Sequence, residues 1–264
     1  MRRQGFMRSV FGPPAGDPPF AAWNAAVAAA AAAIGTRRFP DTLMAALRML
    51  APAQMMNGFF YTSDGRACDL YNEKLAADRA LIVDGYLAGT FVLDPFHDAV
   101  MADGQARMIA MDECAPDGFT ETEYYRLHYA ATRIVDEVGF VIPLAEGCVG
   151  VLSLSRLAPA PPFTGAERDR LRAAAPVVCA FGHRHWFHAP SRMRAGTGLL
   201  TRIEDSRLTR REIEIVTLIL KGHSTPSLAA VLGCAPNTVK VHRRRIYAKL
   251  GISSQTELFH LFWH

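Results

Sequence analysis

The C-terminal part of the 264-residue chain carries Lys240, Arg243, Arg244, Arg245 and Lys249 close together, with Asn237, Thr238 and Val241 beside them. Cations at this density neutralise phosphates, and amide, hydroxyl and apolar side chains among them can meet base edges. Further towards the N-terminus, the carboxylates of Asp94, Asp136 and Glu137 accompany Tyr61, Tyr86, Phe91, Phe96, Tyr124, Tyr125 and Tyr129. Aromatic walls with one or two carboxylates suit an amine or another cationic metabolite, through cation–π and charge-assisted contacts. Aromatic rings in a sandwiched sheet also serve as plain core, and Asp136-Glu137 could equally be solvated.

Other constellations lead nowhere specific. Glu121/Glu123 and Asp112/Glu113 are carboxylate pairs without a recognisable nucleophile or base partner, so no enzyme is expected. Cys179, His183, His185 and His188 could approach a metal, but a helix puts 183 and 185 on different faces. A domain-end helix at a dimer contact is the simpler reading, and no metal site is expected. No Gly-x-x-x-x-Gly-Lys-[Ser/Thr] loop and no receiver-type acidic cluster are present, and no cofactor is implied.

The charge is divided unevenly. Residues 207–264 hold 9 Lys+Arg and 3 Asp+Glu, a net of +6, which leaves 20 and 22 in residues 1–206, a net of −2. A polyanion therefore belongs to the tail. Half the residues are hydrophobic and 20% are charged, which supports packed cores and excludes global disorder. The five cysteines are scattered without a Cys-x-x-Cys, which fits a reducing cytoplasm. Ala21–Ile34 is shorter than the roughly 20 apolar residues a membrane span needs, and it does not follow a signal-peptide start. A soluble, cytoplasmic protein with no membrane partner is the expectation.

These groups need elements to position them. Residues 1–19, with four prolines, read as a mobile tail. Helices are expected from Trp23 to Ile34, closed by Gly35, and again after Pro40. Gly58–Thr62 and Ala67–Tyr71 read as a hairpin about Ser63-Asp64-Gly65. Residues 74–92 look helical, and Phe119–Ala131 opens a helix with the capping box Thr120-x-x-Glu123. Val138–Leu144 and Cys148–Arg156 form the clearest hairpin, and Thr164 caps a helix running towards Trp186 with a bend at Pro176. Residues 20–188 then make one domain, 189–206 a linker and 207–264 a second domain.

In the second domain, Thr209-Arg-Arg-Glu212 is a capping box ahead of Ile213, Val216, Ile219 and Leu220 at helical spacing, with Gly222 as the stop. A short helix about Pro226–Leu232 and a third from Asn237 to Leu250 follow. Ser254-x-x-Glu257 caps a fourth. Val239 and Ile246 point inwards on the third helix while the cations point out. Two short helices joined by a tight turn, the second cationic, form a helix-turn-helix unit whose second helix enters the major groove.

Residues 208–261 resemble the LuxR-type helix-turn-helix family through Leu208-Thr209, Arg211-Glu212, Val216, Gly222, Leu228-Ala229, Leu232, Pro236, Thr238-Val239-Lys240, His242, Ile246-Tyr247, Lys249-Leu250-Gly251, Ser253-Ser254 and Glu257-Leu258. The resemblance implies an all-α four-helix DNA-binding domain used as a dimer, with Thr238, Lys240, Val241 and Arg244 facing DNA. Ala235 stands where the family usually has serine, so the recognition helix lacks a side-chain cap, at a cost of about 0.5–2 kcal/mol. Gln255 replaces a frequent basic residue and removes one phosphate contact.

Residues 40–187 resemble the autoinducer-binding, GAF-like sensory type through Tyr86, Leu93-Asp94-Pro95-Phe96, Gly139–Leu144 and the strand Val149–Ser155. The implied fold is an α/β (α+β) GAF-like α/β/α sandwich with an antiparallel sheet. The implied role of Asp94 is to hydrogen-bond the signal's amide. Residues 36–185 lack tryptophan and Tyr86 lies one residue nearer Asp94 than the pattern, which argues against an acyl-homoserine lactone. The expected protein is a homodimeric, small-molecule-responsive regulator that binds a pseudo-palindromic double-stranded DNA site. Its expected effector is an amine-bearing molecule held by Asp94, Tyr61, Tyr86, Phe91, Phe96, Tyr124, Tyr125, Tyr129 and Glu137. The alternative is a front half that only dimerises or recruits a partner, without ligand.

Overall fold

The computed structural model describes residues 20–73, 79–122, 125–190, 207–255, 257, 258 and 261. The expected tail 1–19, residues 191–206 of the expected linker, Glu123 and Tyr124 lie outside the described residues.

Helices α1 (Phe20–Ala33) and α2 (Phe39–Leu50) come first, followed by strands β1 (Met55–Tyr61) and β2 (Ala67–Asn72). Helix α3 (Pro95–Met101) leads to β3 (Arg107–Ala110), β4 (Ile134–Pro143) and β5 (Val149–Leu157). The strands form one sheet in the order β2-β1-β5-β4-β3, each neighbouring pair antiparallel. Helix α4 (Gly165–Trp186) starts at a Thr164/Glu167 capping box and contains Pro176.

The strand period of two sorts the sheet into two faces. Met56, Phe60, Val138, Phe140, Ile142, Leu152 and Leu154 pack under α1, α2 and α4. Met55, Phe59, Tyr61, Val141 and Val151 face the other way, towards α3 and the segment before it. The pairing of Asn57 with Ser153, and of Glu137 with Ser155, puts polar residues on this second face. The antiparallel α/β arrangement expected from the sequence is therefore present.

Two local expectations change. The described part of 74–92 is not one helix: a π-helical run Ala80–Asp84 gives way to a turn at Gly85–Leu87 and a 3-10 turn at Thr90–Leu93. Gly89 between them has φ 143°, a conformation glycine tolerates and a helix does not. Phe119–Glu121 is likewise a 3-10 turn, followed by a π-helical run Tyr125–Ala130. Thr122 Oγ1 accepts the Tyr125 N–H at 3.0 Å at the start of this run, while the expected Thr120-x-x-Glu123 box involves Glu123, outside the described residues. The four-residue strand β3 was too short to carry a readable alternation.

The C-terminal part has α5 (Arg210–Leu220), α6 (Thr225–Val231) and α7 (Pro236–Leu250). Thr209 and Glu212 cap α5, Ser224 caps α6, and Gly251 at φ 70° closes α7. Ile215, Val216, Ile219, Leu228, Val239, Ile246 and Leu258 make its core. Beyond α7, Ser254 Oγ accepts the Glu257 N–H at 3.1 Å, the cap expected for a fourth helix.

Candidate DNA interface and effector cavity

Helix α7 begins without a side-chain cap, because Ala235 at its N-terminus has nothing to offer the free N–H groups. Pro236 offsets this in part by fixing a helical φ at the first position. With Val239 and Ile246 fully buried, the opposite face turns outward. Asn237, Thr238, Lys240, Val241, Arg244 and Arg245 are all exposed there. Five side chains capable of phosphate or base contact thus stand around one apolar exposed residue, Val241, which is 39% accessible.

The other two expected cations are engaged within the domain. Arg243 is half-buried, lies 5.7 Å over the Tyr247 ring and donates to its hydroxyl at 3.2 Å. Lys249 donates to Glu212 at 2.6 Å, and this contact, with the Thr209 bonds, holds the Glu212 carboxyl down at about 2. Gln255 Oε1 accepts from Arg243 at 3.5 Å.

The second site lies on the sheet face turned towards α3. Asn57, Phe59, Tyr61, Ile82, Tyr86, Asp94, His128, Ile134, Glu137, Val151 and Ser153 enclose a cavity of about 20 Å³, room for about one water. Asp94 is the N-cap of α3: one carboxylate oxygen accepts the Phe96 N–H at 2.9 Å, the other the Tyr86 hydroxyl at 2.7 Å. The Tyr86 and Tyr61 hydroxyls are 2.5 Å apart. Glu137 accepts from Tyr129 at 2.7 Å and Ser155 at 3.2 Å. The Oδ1 atom of Asn57, a residue 5% exposed, has no hydrogen-bond partner.

Burial sets the electrostatics of this cluster. It raises Asp94 to about 6, against the bonds from Tyr86 and Phe96. Burial, helped by the charge of Asp94, raises Glu137 to about 7. The same loss of solvent drops His128 to about 4, which keeps its ring neutral, and pushes the Tyr61 hydroxyl well up. The cavity therefore holds an excess of buried acceptors with no cation among its walls.

Of the residues expected to bind an effector, Tyr61, Tyr86, Asp94 and Glu137 line this cavity. Phe91 and Tyr129 stand one layer back: Phe91 faces the Tyr61 ring at 6.1 Å, and Tyr129 reaches in through Glu137. Tyr125 stacks on Tyr129 at 5.7 Å, half-buried, and Phe96 is buried against Gly139. Asp136 is not solvated. It accepts from the Phe163 N–H at 2.8 Å and from Arg168 at 2.9 Å, and so fixes α4 to the sheet.

Asn57, His128 and Ser153 were not expected at the cavity. The alternation Met55, Asn57, Phe59, Tyr61 carried a signal for Asn57, since it puts a polar residue on the face of three large apolar ones. Ser153 and His128 needed the register of β4 and β5 and the course of the π-helical run. The histidines near the end of α4 have structural partners: His183 Nδ1 lies 2.7 Å from the Pro143 carbonyl, and His185 accepts the Gly35 N–H and stacks on Phe39. Among the described residues, no cluster of three or more His, Cys, Asp and Glu side chains could hold a metal ion.

Residues 206–262 match the family described as bacterial regulatory proteins, luxR family. Over 182 residues, the chain is 31% identical to a putative HTH-type transcriptional regulator in the exeN 3′ region of Aeromonas salmonicida, covering 64% of this chain and 92% of that protein. A match of 48% identity over 48 residues is made with the probable transcriptional regulatory protein NarL of Mycobacterium tuberculosis; it spans 18% of this chain and 22% of that one. Among solved structures, the VqsR LBD domain from Pseudomonas aeruginosa superposes with a TM-score of 0.55 at 21% identity, covering 62% of this chain and 95% of that one. That likeness is one of fold. Among the described residues, no helix is long and apolar enough to cross a membrane.

Proposed function

The chain belongs to the LuxR family of helix-turn-helix transcriptional regulators, and on that premise we propose that it is a cytoplasmic homodimer whose DNA binding responds to a small molecule with an ammonium or other strong donor group. The observation that carries this reading is the donor deficit of the cavity: Asp94, Glu137 and the unpartnered Asn57 Oδ1 share one small buried space. A buried acceptor without a donor costs about 1–3 kcal/mol, and an incoming cation would relieve that cost and ionise both carboxyls together. Tyr61 and Tyr86 supply the rings for cation–π contact.

The volume of about 20 Å³ supports a compact head group over an acyl chain, and the cavity must open by movement of its walls to admit more. Regulation is the proposed role, in keeping with the transcriptional regulators the chain is similar to. DNA is met by Asn237, Thr238, Lys240, Val241, Arg244 and Arg245 in the major groove, with Arg243 and Lys249 at the flank. Two such domains would read half-sites about one helical turn apart, on a pseudo-palindrome. The domains are residues 20–188 and 207–264, joined by 189–206.

Native mass spectrometry of the purified chain, gentle and then denaturing, tests this. A dimer that releases a stoichiometric small basic molecule supports the proposal. An empty dimer that binds its site equally well with and without amines overturns the sensing role. It would favour a ligand-independent dimerisation or partner-recruiting module, a reading to which the nearly filled cavity lends some weight.

A further inference from the structure

The same short helix that starts in the cavity also holds the DNA-binding domain. Asp94 caps α3 inside the cavity, and one turn later Asp98 forms an ion pair with Lys221, the residue that closes α5. Lys221 is only 8% exposed. A second polar contact lies alongside: Ser224 Oγ donates to Asp117 at 2.6 Å, and its N–H reaches the same carboxylate at 3.3 Å. Between the two, the backbones of Gly118 and Gly222 meet so closely that a Cβ on Gly118 would collide with the Gly222 carbonyl, and one on Gly222 with the Thr122 methyl. Helix α5 also packs on Thr90–Leu93, the turn that delivers Asp94 to the cavity.

We propose that Asp98–Lys221, Asp117–Ser224 and the Gly118/Gly222 approach form an intramolecular clasp that holds the DNA-binding domain on the sensory domain and restrains its binding to DNA. The restraint has a visible basis. Arg243 and Gln255 on the flank of the helix-turn-helix share a cleft of about 310 Å³ with Glu121, Thr122 and Arg126 of the sensory domain. The Glu121 carboxylate in this cleft would repel a phosphate approaching Arg243. A domain fixed in this way also cannot adjust to the half-site spacing that a dimer requires.

The route from the cavity to the clasp is short and passes through named contacts. The His97 ring packs edge-on against Tyr61 at 4.8 Å and Phe91 at 5.5 Å, and its Nδ1 is 3.7 Å from the Asp98 carboxylate. A group that draws Asp94 away from Tyr86 would shift the first turn of α3, and with it Asp98. This route rests on the proposed effector reading; the clasp itself does not.

Gly118→Ala is the discriminating variant, because it wedges the contact without changing any charge, and Gly118 has an ordinary φ of −102°. In the full chain without effector, hydrogen exchange at Ala115–Thr122 and Leu220–Ser224 should speed up. Affinity for a fluorescent duplex of random sequence should rise about 5- to 10-fold, within the usual span of coupling between sites. Asp98→Asn should act in the same direction and Asp103→Asn, a paired acid on the neighbouring turn, should not. Unchanged exchange in both Gly118→Ala and Asp98→Asn would overturn the clasp. Faster exchange with unchanged or weaker duplex binding would overturn the restraint. Tyr86→Phe, which removes a hydroxyl from Asp94, should also speed exchange at Leu220–Ser224; no change there, with Asp98→Asn effective, would overturn the route from the cavity alone.

Discussion

Two helices, one in each domain, begin with the same device and are held very differently. Thr164 and Glu167 cap α4, and Thr209 and Glu212 cap α5, by reciprocal bonds. In each, a cation then bonds the capping glutamate at 2.6 Å. Arg156 in the N-terminal domain is 5% exposed and also donates to the carbonyls of Pro52, Pro161 and Pro162, drawing distant segments together. In the DNA-binding domain, the Lys249 side chain is 41% exposed and makes one such bond. The same four-residue motif is thus a local cap in one domain and the centre of a buried polar network in the other. Burial of the cation decides which, for the two glutamates are buried alike.

The comparison predicts unequal losses. Arg156→Met strands the buried Glu167 carboxylate and should cost about 3–5 kcal/mol in urea unfolding of the N-terminal domain. Lys249→Met should cost no more than about 1 kcal/mol, since the Lys249 side chain is 41% exposed and water can take its place beside Glu212. Equal losses would break the distinction.

The cavity acids give the next effect. Because Asp94 and Glu137 lie above their ordinary values in the fold, the native state binds more protons than the unfolded chain between about pH 4 and 7. Stability from these groups is full below that window and falls as pH rises through it. Glu137→Gln, which keeps an acceptor for Tyr129, should remove part of the fall and stabilise the protein by about 1–3 kcal/mol at pH 8. A pH profile parallel to that of the parent chain would contradict this.

On the DNA side, Arg244→Ala should weaken specific binding by about 1–3 kcal/mol if the side chain reads a base, with loss of discrimination between cognate and scrambled duplexes. Unchanged discrimination would leave it a phosphate contact. The smallest effect should come from Ala235→Ser, which supplies the missing hydroxyl to α7 and should stabilise the domain by about 0.5–1 kcal/mol. A loss of stability would show that the Ala235 position is shaped by packing.

The same contrast explains what could be read from the sequence. The DNA-binding domain is written in local signals: a cap at Thr209, a stop at Gly222, Pro236 at the head of α7 and Gly251 at its foot all sit where short-range rules put them. So did the hairpin about Ala145-Glu146-Gly147, which joins β4 to β5. The cavity is assembled from five separate segments, and only Tyr61, Tyr86, Asp94 and Glu137 could be singled out by residue type. Asn57, His128 and Ser153 become neighbours through strand register and a π-helical turn, which no short window encodes. The interdomain pairs Asp98–Lys221 and Asp117–Ser224 span over a hundred residues and carry no local signature.

Calorimetric titration of the full chain with a series of small alkylamines and their neutral amide counterparts, at pH 6 and pH 8, tests the effector site most directly. Amines that stay protonated at both pH values should bind in preference to the amides, and bind more tightly at pH 8, where Asp94 and Glu137 are both ready to ionise. Asp94→Asn should reduce that binding. Tighter binding of the neutral amides, or amine binding indifferent to both pH and Asp94→Asn, would contradict the account.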